Sequence, residues 1–142
     1  MIDLAHAIFA FALVFILRLP VIMGIIGALL PDLDITFDFI FPFVHRGVLH
    51  TPVALLVFSV LFYLITKNKG STISFSLGYL THLFLDTFTP AGIMWFYPYA
   101  KFYSLNLVYA TALVPNLMII LFSVFMFGLW KYNEVILKWI KS

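Results

Sequence analysis

The chain has 142 residues, 64% of them hydrophobic and only 10% charged, with a mean hydropathy of +1.12. That is far above the roughly 45–50% apolar content of soluble globular chains, and it predicts one integral membrane domain over residues 1–142. With 0 Cys, disulfides and thiolate metal ligands are excluded, and a net charge of +2 from scattered single basic residues excludes a nucleic-acid-binding patch.

The first apolar run, Leu4 to Leu17, is closed by Arg18, and Pro20 restarts a second run from Val21 to Leu30. Each is short of the roughly 20 residues that cross a bilayer, so the pair predicts a short helical hairpin. Gly24, Gly27 and Ala28 would let its second helix approach a neighbour closely. No cleaved signal peptide is expected, because Asp3 stands where a basic region would and the first run carries His6. Thr51 followed by Pro52 reads as a helix start, and that run continues to Thr66. The next runs from near Ser71 to Phe88, with Ser74, Gly78, His82 and Asp86 at intervals of four on one small, polar stripe that must face protein or water.

From Thr89 to Asn106 the prolines and the Trp and Tyr rings predict an interfacial loop capping the stripe's end. Leu107 to Trp130 is the longest apolar run and reads as a transmembrane helix kinked at Pro115 and Asn116. Lys131 to Ser142 reads as a separate amphipathic helix lying on the membrane, with Tyr132, Val135, Ile136, Trp139 and Ile140 on its apolar face. The predicted fold class is therefore all-α, a polytopic membrane bundle of about five helices including the N-terminal hairpin. Arg18, Lys67, Lys69 and the tail lysines fall on one side, which predicts a cytoplasmic C-terminus.

The opposite, outer end then gathers His6, Asp32, Asp34, His45, His50, His82 and Asp86, which are all four histidines and three of the six acidic residues. Imidazole and carboxylate groups are the ligands that intermediate divalent metals accept. Asp32 and Asp34 at i, i+2 in a turn can converge on one point, and His82 and Asp86 share a helix face. So many groups exceed the positions around one zinc and suit two or more ions, zinc first and manganese or another transition metal next, in a site built for hydrolysis. Asp34 is a candidate catalytic group, and Arg46, beside a ligand, is a candidate to hold a phosphate oxygen. Asp3 and Asp38 read as solvated or outer groups, and Glu134 has nothing to argue for it.

Together, Leu-Pro-Asp32-Leu-Asp34, His45-Arg46-x3-His50-Thr51 and Gly78-x3-His82-x3-Asp86-x2-Thr89-Pro90-x-Gly92 resemble the YdjM-like family of membrane-bound metal-dependent hydrolases. The family is distantly similar to the helical, multi-zinc phospholipase C and nuclease enzymes, and the resemblance implies phosphoester hydrolysis. Thr51-Pro52 stands here where a serine commonly follows the histidine, and the N-terminal tryptophan ligand of the soluble phospholipases is missing. The expected substrate is a membrane lipid or a lipid-linked phosphoester, since so little chain lies outside the bilayer to bind anything soluble. A zinc-dependent lipid amidase of the ceramidase kind and a non-enzymatic metal-binding or transport protein are the alternatives.

Overall fold

The computed structural model describes residues 3–38 and 46–141, apart from the side chains of 36–38 and 138–141. Among these residues there are six α-helices and no strand: α1 (Asp3–Ile16), α2 (Val21–Leu29), α3 (Leu33–Asp38), α4 (Pro52–Thr66), α5 (Lys69–Thr87) and α6 (Leu113–Lys141), with a single 3-10 turn at Val48–His50. The predicted hairpin is α1 and α2. Arg18 closes α1 in a left-handed conformation (φ 57), which lets Arg18 N donate to Phe15 O and Leu19 N to Val14 O, so the last carbonyls are satisfied and the chain reverses at once. Pro20 then precedes the first turn of α2.

The Thr51 side chain accepts from Ala54 N at 3.1 Å and Pro52 occupies the first turn, so α4 starts where its sequence places it. The α4–α5 connection is equally local: Lys67 is left-handed (φ 51), and the Asn68 side chain caps α5 by accepting from Ser71 N at 3.0 Å. The two helices pack through Phe62 stacked on Phe75 at 4.7 Å and through the Ser59 and Ser76 hydroxyls, 2.7 Å apart.

The crossing of α2 with α5 positions everything that follows. Ser74 Oγ donates to Pro20 O at 2.7 Å, and one turn on, a Cβ at Gly78 would lie 1.8 Å from the Gly24 carbonyl oxygen. A Cβ at Gly27 would likewise lie 2.0 Å from Phe75 O. Two backbones touch here, as small residues allow in membrane bundles. One further turn brings His82 to the Ala28 carbonyl. The polar stripe on α5 is thus read against α2 in steps of four residues, and its last step is the candidate site.

Two features differ from the sequence reading. The long helix begins at Leu113, not Leu107, and Pro115 lies in its first turn, where a missing N–H costs nothing, so no kink is required. Asn116 Nδ2 donates to the Ala110 and Ala112 carbonyls and serves that helix start. The tail is not a separate element either, because α6 runs unbroken to Lys141. Among the described residues Leu113–Leu137 is the one helix long and apolar enough to cross a membrane. It packs on α1 through Phe11, Phe15, Phe127 and Trp130, and at the lower end of that seam Arg18 Nη2 meets Glu134 Oε1 at 3.2 Å. Glu134, which had no role in the sequence reading, fastens the far end of α6 to the end of α1.

Candidate metal centre

Five side chains from four separate segments meet at the end of the α2–α5 crossing. His82 and Asp86 come from α5, His6 from α1, Asp32 from the turn after α2, and His50 from the 3-10 turn before α4. The three histidines are fully buried and Asp86 nearly so, at 1% exposure. His82 Nε2 lies 3.1 Å from His50 Nε2, 3.6 Å from Asp32 Oδ1 and 3.5 Å from Asp86 Oδ2. His50 Nε2 lies 3.4 Å from Asp32 Oδ1 and 3.7 Å from Asp86 Oδ2. His6 is stacked on His82 with ring centroids 3.9 Å apart, and its Nε2 lies 3.4 Å from the other Asp86 oxygen, Oδ1.

The protons decide which of these atoms could accept a cation. A carbonyl only accepts, so His82 Nδ1, 2.7 Å from Ala28 O, must carry the ring proton, which leaves Nε2 with its lone pair turned into the cluster. His50 Nδ1, 3.0 Å from Asp34 Oδ2, is placed the same way, so its Nε2 also faces inward. Two imidazole lone pairs and two carboxylate oxygens therefore converge in a largely buried space, an arrangement that positive charge stabilises. Donors held about 2.0–2.1 Å from a tetrahedral ion stand about 3.3–3.4 Å apart, and the separations here bracket that value. Two groups of three are close enough to share an ion: His6, His82 and Asp86, and Asp32, His50 and His82. Among the described residues, His6 Nδ1 and Asp32 Oδ2 are buried without a hydrogen bond.

The titration behaviour has the same cause. Burial pushes the Asp32 carboxyl up, but the bond from His50 and the fields of His82, His6 and His50 overrule it and hold Asp32 below its ordinary value. Burial alone would lower His50, yet its bonds to Asp32 and Asp34 and the charges of Asp34 and Asp86 outweigh it and raise His50. A proton on His50 Nε2 does for these lone pairs part of what a metal ion would do, so a metal bound there would compete with that proton.

The structure separates residues that the sequence grouped. Asp34 stands outside both donor groups: its Oδ2 accepts from Arg46 N at 3.1 Å and contacts His50 Nδ1, so it orients a ligand from behind. Arg46 is buried at 5% exposure with its backbone left-handed (φ 68), and its guanidinium is engaged by the protein itself. Nη2 lies 3.2 Å from Asp86 Oδ1, and Nη1 reaches Thr89 Oγ1 and the carbonyls of Asp86 and Gly92. His45 lies outside the described residues. The groups missed by sequence reasoning are the Ala28 carbonyl, the Thr89 hydroxyl and the Gly92 carbonyl. Two are backbone atoms without a residue signature, whereas Thr89 stood in the quoted motif with no role attached. Replacing Asp34 with Asn keeps an acceptor but removes the charge behind His50. A 10–100-fold weaker metal affinity is expected, measured by competition with a chelating dye.

Fold and site together define a helical membrane protein with a buried His/Asp centre able to hold a metal ion. The whole length of the chain agrees with that class. It belongs to the YdjM inner membrane protein family, whose family model matches residues 1–140. No curated protein and no solved structure matches the chain.

Proposed function

We propose that this protein is a polytopic membrane hydrolase that uses a divalent metal, zinc in the first place, to cleave a phosphoester in a lipid or lipid-linked substrate. The observation that carries this reading is the convergence of His50 Nε2, His82 Nε2, Asp32 Oδ1 and Asp86 Oδ2, lone pairs inward, in a largely buried space to which Asp32 keeps 12% of its side chain exposed. A divalent ion bound there supplies Lewis acidity and lowers the pKa of water, which is what phosphoester cleavage at neutral pH requires. The chain supplies the rest. Ala28 O and Asp34 fix the tautomers of His82 and His50, and Asp32 Oδ2, which has no hydrogen bond among the described residues, is the oxygen we assign to take a proton from water.

A lipid substrate is supported by an open apolar groove of about 390 Å³ between α1, the end of α5 and α6. Phe9, one turn from His6, and Leu85, next to Asp86, both line it, along with Phe88, Met118 and Phe122. Such walls accept an acyl chain and offer nothing to a soluble polar substrate.

The orientation follows from which charges share an end. Arg18, Lys67, Lys69 and Glu134 lie at the end opposite the metal centre, and Lys131 reaches Glu134 at 3.4 Å. Basic residues mark the cytoplasmic side. His82 is thirteen residues beyond Lys69, about 20 Å along α5, and that separation from the basic end supports a centre in the outer part of the bilayer. Reporters fused at Lys67 and at the C-terminus should both be cytoplasmic, and finding both external would reverse the orientation.

The decisive experiment is metal analysis of the detergent-purified protein, then chelation, reloading with zinc or manganese, and assay against lipids bearing phosphoester and amide bonds. Metal uptake with phosphoester cleavage is the expected result. Amide cleavage would change the substrate class, and failure to take up either metal would remove the hydrolase reading altogether.

A further inference from the structure

The hydrolase reading leaves the number of ions open, and the donor count alone suggests two. We infer that the centre holds one divalent ion, and that the Arg46 guanidinium occupies the place of a second. This rests on the metal reading above and adds to it a stoichiometry and a role for one residue.

Three observations carry it. First, the donors are unequal. His50 Nε2 and His82 Nε2 lie 3.1 Å apart, with Asp32 Oδ1 within 3.6 Å and Asp86 Oδ2 within 3.7 Å of both, whereas at the second group the described residues add only His6 Nε2, 3.4 Å from Asp86 Oδ1, to the shared His82. His82 belongs to both possible groups but serves one ion only, because Nε2 has a single lone pair and Nδ1 gives its proton to Ala28 O.

Second, a cation already stands at the poorer place. Arg46 Nη2 lies 3.2 Å from Asp86 Oδ1, the oxygen that would bridge to a second ion. Thr89 Oγ1 and the carbonyls of Asp86 and Gly92 hold Nη1, and Asp34 holds the Arg46 backbone N–H, so the guanidinium is fixed from several directions.

Third, charge balances with one ion and not with two. Asp32, Asp34 and Asp86 carry three negative charges among the described residues of the centre, and Arg46 with one divalent ion supplies three positive ones. A second divalent ion would leave an excess of two positive charges among these groups, which a largely buried site strongly disfavours. Arg46 therefore supplies beside Asp86 the positive charge that a second metal would, and it stays when the metal is removed.

The test counts ions per chain on the full protein in detergent, stripped and reloaded with zinc or manganese, by elemental analysis and calorimetry. One ion per chain is expected for the wild type and for His6→Ala. Arg46→Met should bind two, the second lost again in the Arg46→Met, His6→Ala double variant, while Arg46→Lys stays at one. A wild-type count of two that falls to one in His6→Ala would overturn the proposal. So would an Arg46→Met variant that remains folded and still binds one, since the guanidinium would then hold no ion's place. If Arg46→Met does not fold, the wild type, His6→Ala and Arg46→Lys decide the count among themselves. A count of zero in the wild type is a different failure, since it removes the metal centre and not only its stoichiometry.

Discussion

Replacing His82 with alanine is expected to leave about a tenth or less of the wild-type metal and to reduce lipid phosphoester hydrolysis to background, while the protein still inserts and purifies as a monodisperse species. His82 supplies the central donor of both groups, with Nε2 within 3.6 Å of His50, Asp32 and Asp86. Removing even an outer partner of a metal ligand costs about 10–100-fold in affinity, and removing the ligand itself costs more. Asp32→Asn is the companion variant, because Asp32 has no arginine partner and its loss strands no charge. Asp86→Asn is less clean. It also breaks the contact with buried Arg46, and an uncompensated buried charge costs about 3–5 kcal/mol, so metal loss and unfolding would arrive together. Elemental analysis beside size-exclusion chromatography separates the two. Full metal occupancy in both His82→Ala and Asp32→Asn would show that the cluster is a structural network, and the site assignment would then be withdrawn.

The second large effect concerns a residue that touches no ligand. Gly78→Ala should destabilise the protein by about 3 kcal/mol or more, at or beyond the upper end for overpacked interiors, because the added carbon meets a carbonyl and not a side chain that can turn away. The distance available is 1.8 Å, and the atom in the way is Gly24 O. Relief requires α2 to move off α5, which carries Ala28 O away from His82 Nδ1 and loosens the metal centre as well. Gly128→Ala is the matched control, since a Cβ there meets nothing within 4 Å and alanine is the better helix former. Thermal unfolding in detergent, followed by circular dichroism with and without added zinc, should show a large loss for Gly78→Ala and none for Gly128→Ala. Equal stability of the two would mean that the α2–α5 contact is not the axis of the fold.

Much of this organisation is legible in the residues because it depends on short-range geometry. Thr51-Pro52 is a helix start wherever it stands, and four-residue spacing puts Ser74, Gly78, His82 and Asp86 on one stripe in any α-helix. The glycines of α2 carry their meaning in the same way, as places where another backbone can come close. What the sequence leaves open depends on rotation and on distance along the chain. Asp32 and Asp34 look equivalent at i, i+2, but α3 begins between them, so Asp34 turns behind His50 while Asp32 faces His82. The destination of the Arg46 guanidinium is set by Thr89 and Gly92, more than forty residues away, and no local pattern records it. Pro115 shows a third kind of ambiguity: the same proline kinks a helix from inside or opens it from the first turn, depending on a boundary that hydropathy places only loosely.

The distribution of donors along the chain bears on the order of assembly. The donors and orienting groups described for the centre lie between His6 and Gly92, and α6, the long apolar helix, begins only at Leu113. A chain emerging from its N-terminus therefore has its complete donor set before its last helix has been made. Metal can be captured by a nascent bundle of α1 to α5, and α6 arrives as a later brace along α1, locked at its far end by Arg18 and Glu134. The centre and the anchor would in this sense be successive events in the life of one polypeptide, the donor set first and the packing of α6 along α1 second.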